Sequence, residues 1–391
     1  MRGRAFGGIA EGDEARWSTK VEAADVDAFA ELSGDDNPLH LDDVFARSHG
    51  FRGRVVHGML LAAWLSRVLG TVLPGPGVLW ISQSIRFAQA VYVGDQLEVV
   101  VRVKHKAAAL RSLVLDTSVV SADGTTVLSG EARVMMLPTD RTPAWEEYVA
   151  VVTGGGRGIG AAVARVLGAR GARVVVNYLR DADAAETVAA DIRGAGGDAV
   201  AVAADVATSE GAASLVEAAQ ERWGRVDAIV NSATPAIERK PFQELAWEDI
   251  DRYWRTYVQS TFTLAQVATP GMRERGFGRI VQILTTAMWG TPPPNTAGYV
   301  AAKSGLWGLT KALAVELGPD GITVNGVSPS AVMTDQWEGT SDSRRRAIAL
   351  SLPVQRLATP EEVASTVMFL LGSEGAYLTG ANLPVAGGEV M

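Results

Sequence analysis

Two short stretches of this chain combine residue types that move protons, and a third has the composition of a phosphate cradle. Asp35-Asp36-Asn37-Pro38-Leu39-His40 sets a carboxylate and an imidazole in one segment of turn formers, a pair able to act as general acid and base. Far downstream, Tyr299 and Lys303 stand four residues apart and so share one face of a helix. A phenol near pKa 10 is a poor acid or base at neutral pH, and an adjacent ammonium is needed to stabilise its phenolate. The loop Gly154-Gly155-Gly156-Arg157-Gly158-Ile159-Gly160 follows an apolar run ending at Thr153 and precedes a helical pattern over 161–167. In that context glycines let backbone N–H groups approach phosphates.

The elements that must position these residues differ between the two ends of the chain. After a polar tail, residues 21–32 have helical apolar spacing and stop at Ser33-Gly34, which leaves Asp35 to His40 in a loop. Residues 56–73 form a long apolar helix, opened by His57-Gly58 and closed by Pro74-Gly75-Pro76, that reads as buried on most sides. Strand patterns follow at 78–87, 95–104, 110–120 and 125–137, with an Asp123-Gly124 turn between the last two. One helix that an antiparallel sheet could wrap is an α+β pattern. Residues 138–146, including Pro138 and Pro143, break both periodicities and are expected to link domains 1–137 and 147–391. Beyond them, apolar runs at 149–153, 173–178, 199–203, 228–230, 279–284 and 322–327 alternate with helices, as in a parallel α/β sheet covered on both faces.

Composition narrows the functions. At 391 residues, 47% apolar and 20% charged, the chain should build two packed cores. With no cysteine there is no disulfide framework, thiolate metal site or cysteine nucleophile. A net charge of −8 disfavours nucleic-acid binding, which needs a basic surface. No apolar run of signal or membrane-spanning length is present, so no membrane partner and a cytoplasmic location are expected. His49, His57 and His105 read as packing or exposed residues, with His57 orienting the helix start. No metal site is expected, because no second His or carboxylate falls at ligand spacing with them.

Residues 18–137 resemble the MaoC-like hot-dog dehydratases, and within them the (R)-specific enoyl-CoA hydratases, through Ser33-Gly34-Asp35-x-Asn37-Pro38-Leu39-His40-Leu41-Asp42, Val56-His57-Gly58-Met59-Leu60-Leu61 and the Val93-Gly94-Asp95 turn. The resemblance implies a hot-dog fold with Asp35 and His40 as the acid/base pair. It also implies a role for the N–H groups at Gly58 in polarising a thioester carbonyl, and a place for Ser66 near the catalytic water. Residues 147–391 resemble the classical short-chain dehydrogenase/reductases, specifically the 3-oxoacyl-thioester reductases, and so imply a Rossmann-type domain. The matching pieces are the T-G-x-x-x-G-I-G loop, Asp205-Val206, Asn231-Ser232-Ala233, Tyr299-x-x-x-Lys303, Ser328-Pro329 with Thr334, and the blocks 356–364 and 379–388. Tyr299 is then the proton donor to the ketone and Lys303 its partner. The cofactor set is Gly154, Arg157, Gly158, Ile159, Gly160, Asn177, Arg180, Asp205, Val206, Asn231, Tyr299, Lys303, Pro329, Val332 and Thr334.

The end of the second strand, Asn177-Tyr178-Leu179-Arg180, carries no acid at its tip, and Arg157 lies in the loop, so two guanidinium groups favour a ribose 2′-phosphate and NADP(H). Several positions depart from the resembled pattern. Strand register puts Thr285, with Thr286 as the alternative, where the catalytic serine belongs; Tyr257 replaces an asparagine that helps hold a water chain to the lysine; Thr234, Ser330 and Ala386 replace Gly, Gly and Asp. Both resemblances meet at an (R)-3-hydroxyacyl thioester carried on acyl carrier protein or CoA. A bifunctional reductase and dehydratase is the expectation, with two alternatives: hydration then oxidation in β-oxidation, or a dehydratase beside a non-catalytic cofactor-binding scaffold. Both resemblances imply a homo-oligomer, a tetramer or dimer. Arg344-Arg345-Arg346 reads as either a solvated helix face or a contact for carrier or CoA phosphates.

Overall fold

The computed structural model describes residues 6–107, 110–137, 142–289, 291–334 and 340–390. The chain divides into two compact units, Met1–Thr139 and Asp140–Met391. Of the segment expected to link the domains, residues 138–141 lie outside the described ones. Its far end is part of the second unit, because Trp145 packs on that unit's core with its ring tilted against buried Tyr148 at 4.8 Å.

The first unit runs β1 (Glu14–Lys20), α1 (Ala23–Ser33), α2 (Pro38–Leu41), α3 (Asp43–Ser48), α4 (Gly58–Thr71), β2 (Val78–Phe87), β3 (Gln96–Ala107), β4 (Ser112–Ser121) and β5 (Thr126–Met136). The strands form one antiparallel sheet in the order β1-β3-β4-β5-β2. On α4, Leu61, Leu65, Val68 and Leu69 recur at helical spacing and are buried against Val99, Val101, Val103, Leu115 and Leu128 of the sheet. A fully buried leucine of this kind contributes about 2 kcal/mol, and truncating Leu65 to alanine would cost about 2 to 5 kcal/mol through the cavity left behind. The helix is not buried on most sides: Met59, Ala63, Ser66 and Arg67 are exposed, which leaves one face open beside the sheet. The expected polar tail contains a strand. In β1 the outward residues Glu14, Arg16, Ser18 and Lys20 alternate with more buried Ala15, Trp17 and Thr19, and the strand pairs with β3.

The second unit runs β6 (Val149–Thr153), α5 (Gly158–Gly168), β7 (Arg173–Tyr178), α6 (Ala182–Gly194), β8 (Asp198–Ala203), α7 (Ser209–Trp223), β9 (Ala228–Asn231), α8 (Trp247–Trp254), α9 (Ser260–Arg275), β10 (Gly278–Ile283), α10 (Ala297–Leu317), β11 (Ile322–Pro329), α11 (Asp342–Ser351), α12 (Pro360–Leu371) and β12 (Asn382–Val385). The seven strands form a parallel sheet in the order β12-β11-β10-β9-β6-β7-β8. Two core clusters fill its faces, one under α5, α6 and α12 and the other under α7, α9 and α10. Strand order reverses between β6 and β9, and such a switch point opens a crevice at the carboxyl ends of the strands. The glycine loop leaves β6 at that point.

Candidate functional sites

In the first unit, α1 ends at Gly34, whose φ of +74° is a left-handed cap that a side chain would strain. Asn37 then accepts the Leu39 N–H at 3.0 Å with Pro38 in the first helical position, so His40 sits on the short helix α2 and not in a loop. His40 Nδ1 is 2.7 Å from the Val55 carbonyl and must carry the ring proton there, which leaves Nε2 with the lone pair. That Nε2 is 3.9 Å from Asp35 Oδ2. His57, only 2% exposed, stacks on His40 with centroids 3.8 Å apart and donates from Nε2 to the Asp35 carbonyl at 3.0 Å. The residue read as packing therefore aligns both members of the pair. Contrary to the spacing argument, folding gathers one ligand-type atom each from Asp35, His40 and His57 within 4.8 Å of one another.

These groups line a cavity of about 610 Å³ together with Gly58 at the start of α4. No side chain caps that helix, and a Cβ at Gly58 would stand 2.9 Å from the Phe87 ring, which would have to move to admit one. Ser66 is not in this cavity. It lines a neighbouring one of about 520 Å³ with Trp80 and Ile85, and the two cavities have Phe29 and Met59 as common walls.

In the second unit, Gly154 and Gly158 have φ of +60° and +52°, and a Cβ at Gly160 would lie 2.3 Å from the Gly154 carbonyl. No side chain caps α5, whose first-turn N–H groups at Gly158, Ile159 and Gly160 have no acceptor within the helix. The loop is held from behind. Thr153 Oγ1 accepts the Ser232 and Ala233 N–H groups at 3.0 Å each and donates to Asn231 Oδ1 at 2.7 Å. Asn231 also donates to Ser260 and Thr261, while Asn177 accepts the Gly154 N–H at 3.1 Å and donates to the Ala204 carbonyl at 3.0 Å. Both asparagine side chains, read as cofactor contacts, are thus committed to framing the loop. Asp205 is exposed and its Oδ1 accepts the Ala207 N–H at 3.0 Å; Val206 beside it is buried. Thr334 closes over the helix start, its methyl 3.3 Å from where a Gly158 Cβ would be, after Pro329 and buried Val332. Arg180 is exposed, and Arg157 lies 3.7 Å from Asp181, which also caps α6.

Thr285 caps the turn after β10, accepting the Ala287 N–H at 3.2 Å, and lies close enough to Tyr299 to influence its titration, whereas Thr286 turns away to donate to Glu389 at 3.0 Å. Burial raises the Tyr299 pKa and the nearby Thr285 hydroxyl opposes that rise. Lys303, 5% exposed, donates to the Ile283 carbonyl at 2.6 Å, and desolvation lowers its pKa to about 7. Its Nζ lies 3.7 Å above the centroid of Tyr257. Tyr257 belongs to a π-helical stretch, Arg255–Gln259, between α8 and α9; its hydroxyl is 2.6 Å from Thr234 Oγ1 and its ring meets Tyr299 edge-on at 6.1 Å. Two departures seen separately in the sequence, Thr234 and Tyr257, are one contact. Exposed Arg344 and Arg346 lie on α11, while Arg345 pairs with Asp342.

A family model described as enoyl-(acyl carrier protein) reductase matches residues 154–389, and one described as a MaoC like domain matches residues 8–123. The short-chain reductase protein NovJ of Streptomyces niveus is 38% identical over 255 residues, covering 62% of this chain and 94% of the relative. A 3-oxoacyl-[acyl-carrier-protein] reductase of Synechocystis sp. is 38% identical over 246 residues, 62% of this chain and 97% of its own. Among solved structures, a Serratia marcescens short-chain dehydrogenase/reductase covers 63% of this chain and 99% of its own at 36% identity and a TM-score of 0.59. A blue fluorescent protein from a metagenomic library, in complex with NADPH, covers 64% of this chain and 100% of its own at 33% identity and a TM-score of 0.60. The chain belongs to the short-chain dehydrogenase/reductase family and carries a MaoC-like domain fused ahead of its reductase-type domain.

Proposed function

We propose that the protein reduces a 3-oxoacyl thioester to the (R)-3-hydroxyacyl thioester with NADPH and removes water from that product to give the trans-2-enoyl thioester. The observation that carries this reading is the coexistence of two complete proton-handling sets: Asp35 and His40 facing a 610 Å³ cavity, and Thr285, Tyr299 and Lys303 at the carboxyl edge of a parallel sheet. The similarity to proteins named 3-oxoacyl-[acyl-carrier-protein] reductase supports the substrate class.

A dinucleotide fits the second unit because the uncapped start of α5 and the side-chain-free loop offer backbone donors to a pyrophosphate. The nicotinamide, when bound, supplies the hydride. Tyr299 gives its phenolic proton to the ketone oxygen, Thr285 orients that oxygen through its hydroxyl, and Lys303 as ammonium favours the resulting phenolate. Arg157 and Arg180 suit a 2′-phosphate, for which Asp181, 3.7 Å from Arg157, is a competing partner. In dehydration the C2 proton passes to His40 Nε2, the C3–oxygen bond breaks, and the Asp35–His40 pair returns one proton to the departing hydroxyl, so protons balance. The N–H groups at Gly58 polarise the thioester carbonyl. A long edge strand β2 with exposed Leu79 and Ile81 supports assembly into a homo-oligomer, which light scattering at micromolar concentration tests.

The deciding experiment is product analysis with a 3-oxoacyl thioester and NADPH, on both carrier protein and CoA. An enoyl thioester with one NADPH consumed per product is expected. Equal or better catalytic efficiency with NADH overturns the cofactor choice and favours the oxidative direction. NADPH binding without turnover favours a scaffold role for the second unit.

A further inference from the structure

Lys303 is buried without an ion pair among the described residues, and its ammonium has two neighbours of different character. One is the Ile283 carbonyl at 2.6 Å; the other is the face of the Tyr257 ring at 3.7 Å. The ring covers one side of Nζ, and Tyr257, in the π-helical stretch, is itself only 1% exposed. Its hydroxyl cannot serve Lys303 as a proton carrier from that position, being committed to Thr234 at 2.6 Å. A Gly at 234 would offer no such anchor, and an Asn at 257 would offer no ring.

We propose that Tyr257, anchored by Thr234, is a positioning residue that holds the Lys303 ammonium by a cation–π contact in a water-excluded pocket, in place of a hydrated side-chain relay. The contact rests on the reductase reading for its catalytic meaning but not for its existence. An aromatic face stabilises a desolvated cation through its quadrupole, so the ring offsets part of the burial that otherwise disfavours the charged lysine. The titratable and charged groups that face this cluster are Tyr257 from the π-helical stretch, Tyr253 and Arg252 from α8, and Tyr299 from α10; no carboxylate pairs with Lys303 among the described residues.

The test reads the lysine directly. The chain has six lysines, so spectra of the full protein labelled at lysine 13Cε resolve few signals, and Lys303→Met assigns the one of interest. Tyr257→Phe keeps the ring and should leave the Lys303 titration midpoint within about 0.2 pH units of the parent. Tyr257→Leu keeps the pocket dry but removes the ring and should lower the midpoint by about one unit, the scale of a desolvated cation–π contact. Tyr257→Asn admits water and should raise it. Should Tyr257→Leu not fold, Thr234→Val, which loosens the ring without deleting it, should give a smaller lowering. An unchanged midpoint in the leucine variant, or a phenylalanine variant that shifts as far as the leucine one, overturns the proposal. The alkaline limb of the reduction profile should move with the midpoint in each variant. Loss of turnover in the parent with the midpoints behaving as stated would reject the reductase reading and leave the contact standing.

Discussion

The two candidate sites place their proton-handling residue types in opposite settings. Asp35 and His40 sit on a short turn beside an open cavity, with half the Asp35 side chain exposed, and their alignment comes from main-chain carbonyls and the stacked ring of His57. Tyr299 and Lys303 are enclosed by aromatic rings, and burial itself shifts both pKa values. A pair that opens onto a cavity on one side needs chiefly orientation, since its more exposed carboxylate keeps part of its solvation. An enclosed lysine needs a specified neighbour for its charge, so changes around it should matter at greater range.

The sharpest way to break the comparison is to disable one site at a time. Tyr299→Phe should slow reduction by about 10²-fold to 10⁴-fold while dehydration of supplied 3-hydroxyacyl thioester continues, since a positioned acid is worth that much. His40→Ala or Asp35→Asn should do the reverse by a comparable factor, with NADPH still consumed and the hydroxy intermediate accumulating in the product analysis. A variant that stops both activities while remaining folded would refute separable sites.

The next effect follows from enclosure. Reduction in the free enzyme should decline as pH rises through about 7, because Lys303 loses its proton there and not near the ordinary lysine value. Stability should move the other way. Between about 7 and the unfolded value the unfolded chain binds a proton that the folded chain lacks, so this group makes folding more favourable as pH rises through that window. Denaturant titrations of Lys303→Met should lack that slope. The dehydratase half, whose Asp35–His40 pair lies in the other unit, should be insensitive to Lys303→Met.

A smaller effect tests the open site. Gly58→Ala places a methyl 2.9 Å from the Phe87 ring, whose displacement should reduce dehydration about tenfold, less than the roughly 10²-fold that losing a carbonyl-polarising donor outright costs, without touching NADPH oxidation. The smallest involves Asp181. Its replacement by alanine removes the α6 cap, worth about 1 kcal/mol of stability, and frees Arg157, so NADPH should bind a few-fold tighter by fluorescence titration.

Much of this was legible in residue order. The helix 58–71 and four strands of the first sheet follow from period and turn residues, and six of the seven parallel strands follow from apolar β-branched runs. Strands β1 and β12 were less visible: β1 carries charges on its outer face, and β12 contains Pro384, tolerated at the sheet edge. Motif spacing also singled out Asp35, His40, Tyr299, Lys303 and the glycine loop as candidates, because local backbone chemistry favours certain residue types at those offsets.

Tertiary structure alone decided who touches whom. It put His57 on His40, moved Ser66 to a neighbouring cavity, turned Asn177 and Asn231 into struts for the loop, and joined Thr234 to Tyr257 beneath Lys303. Sequence determined the folds and the reactive residue types, since period, glycine φ and helical spacing are local properties. Burial and partnership depend on segments far apart in the chain, and the charge state of Lys303 is set by that packing and not by its own side chain.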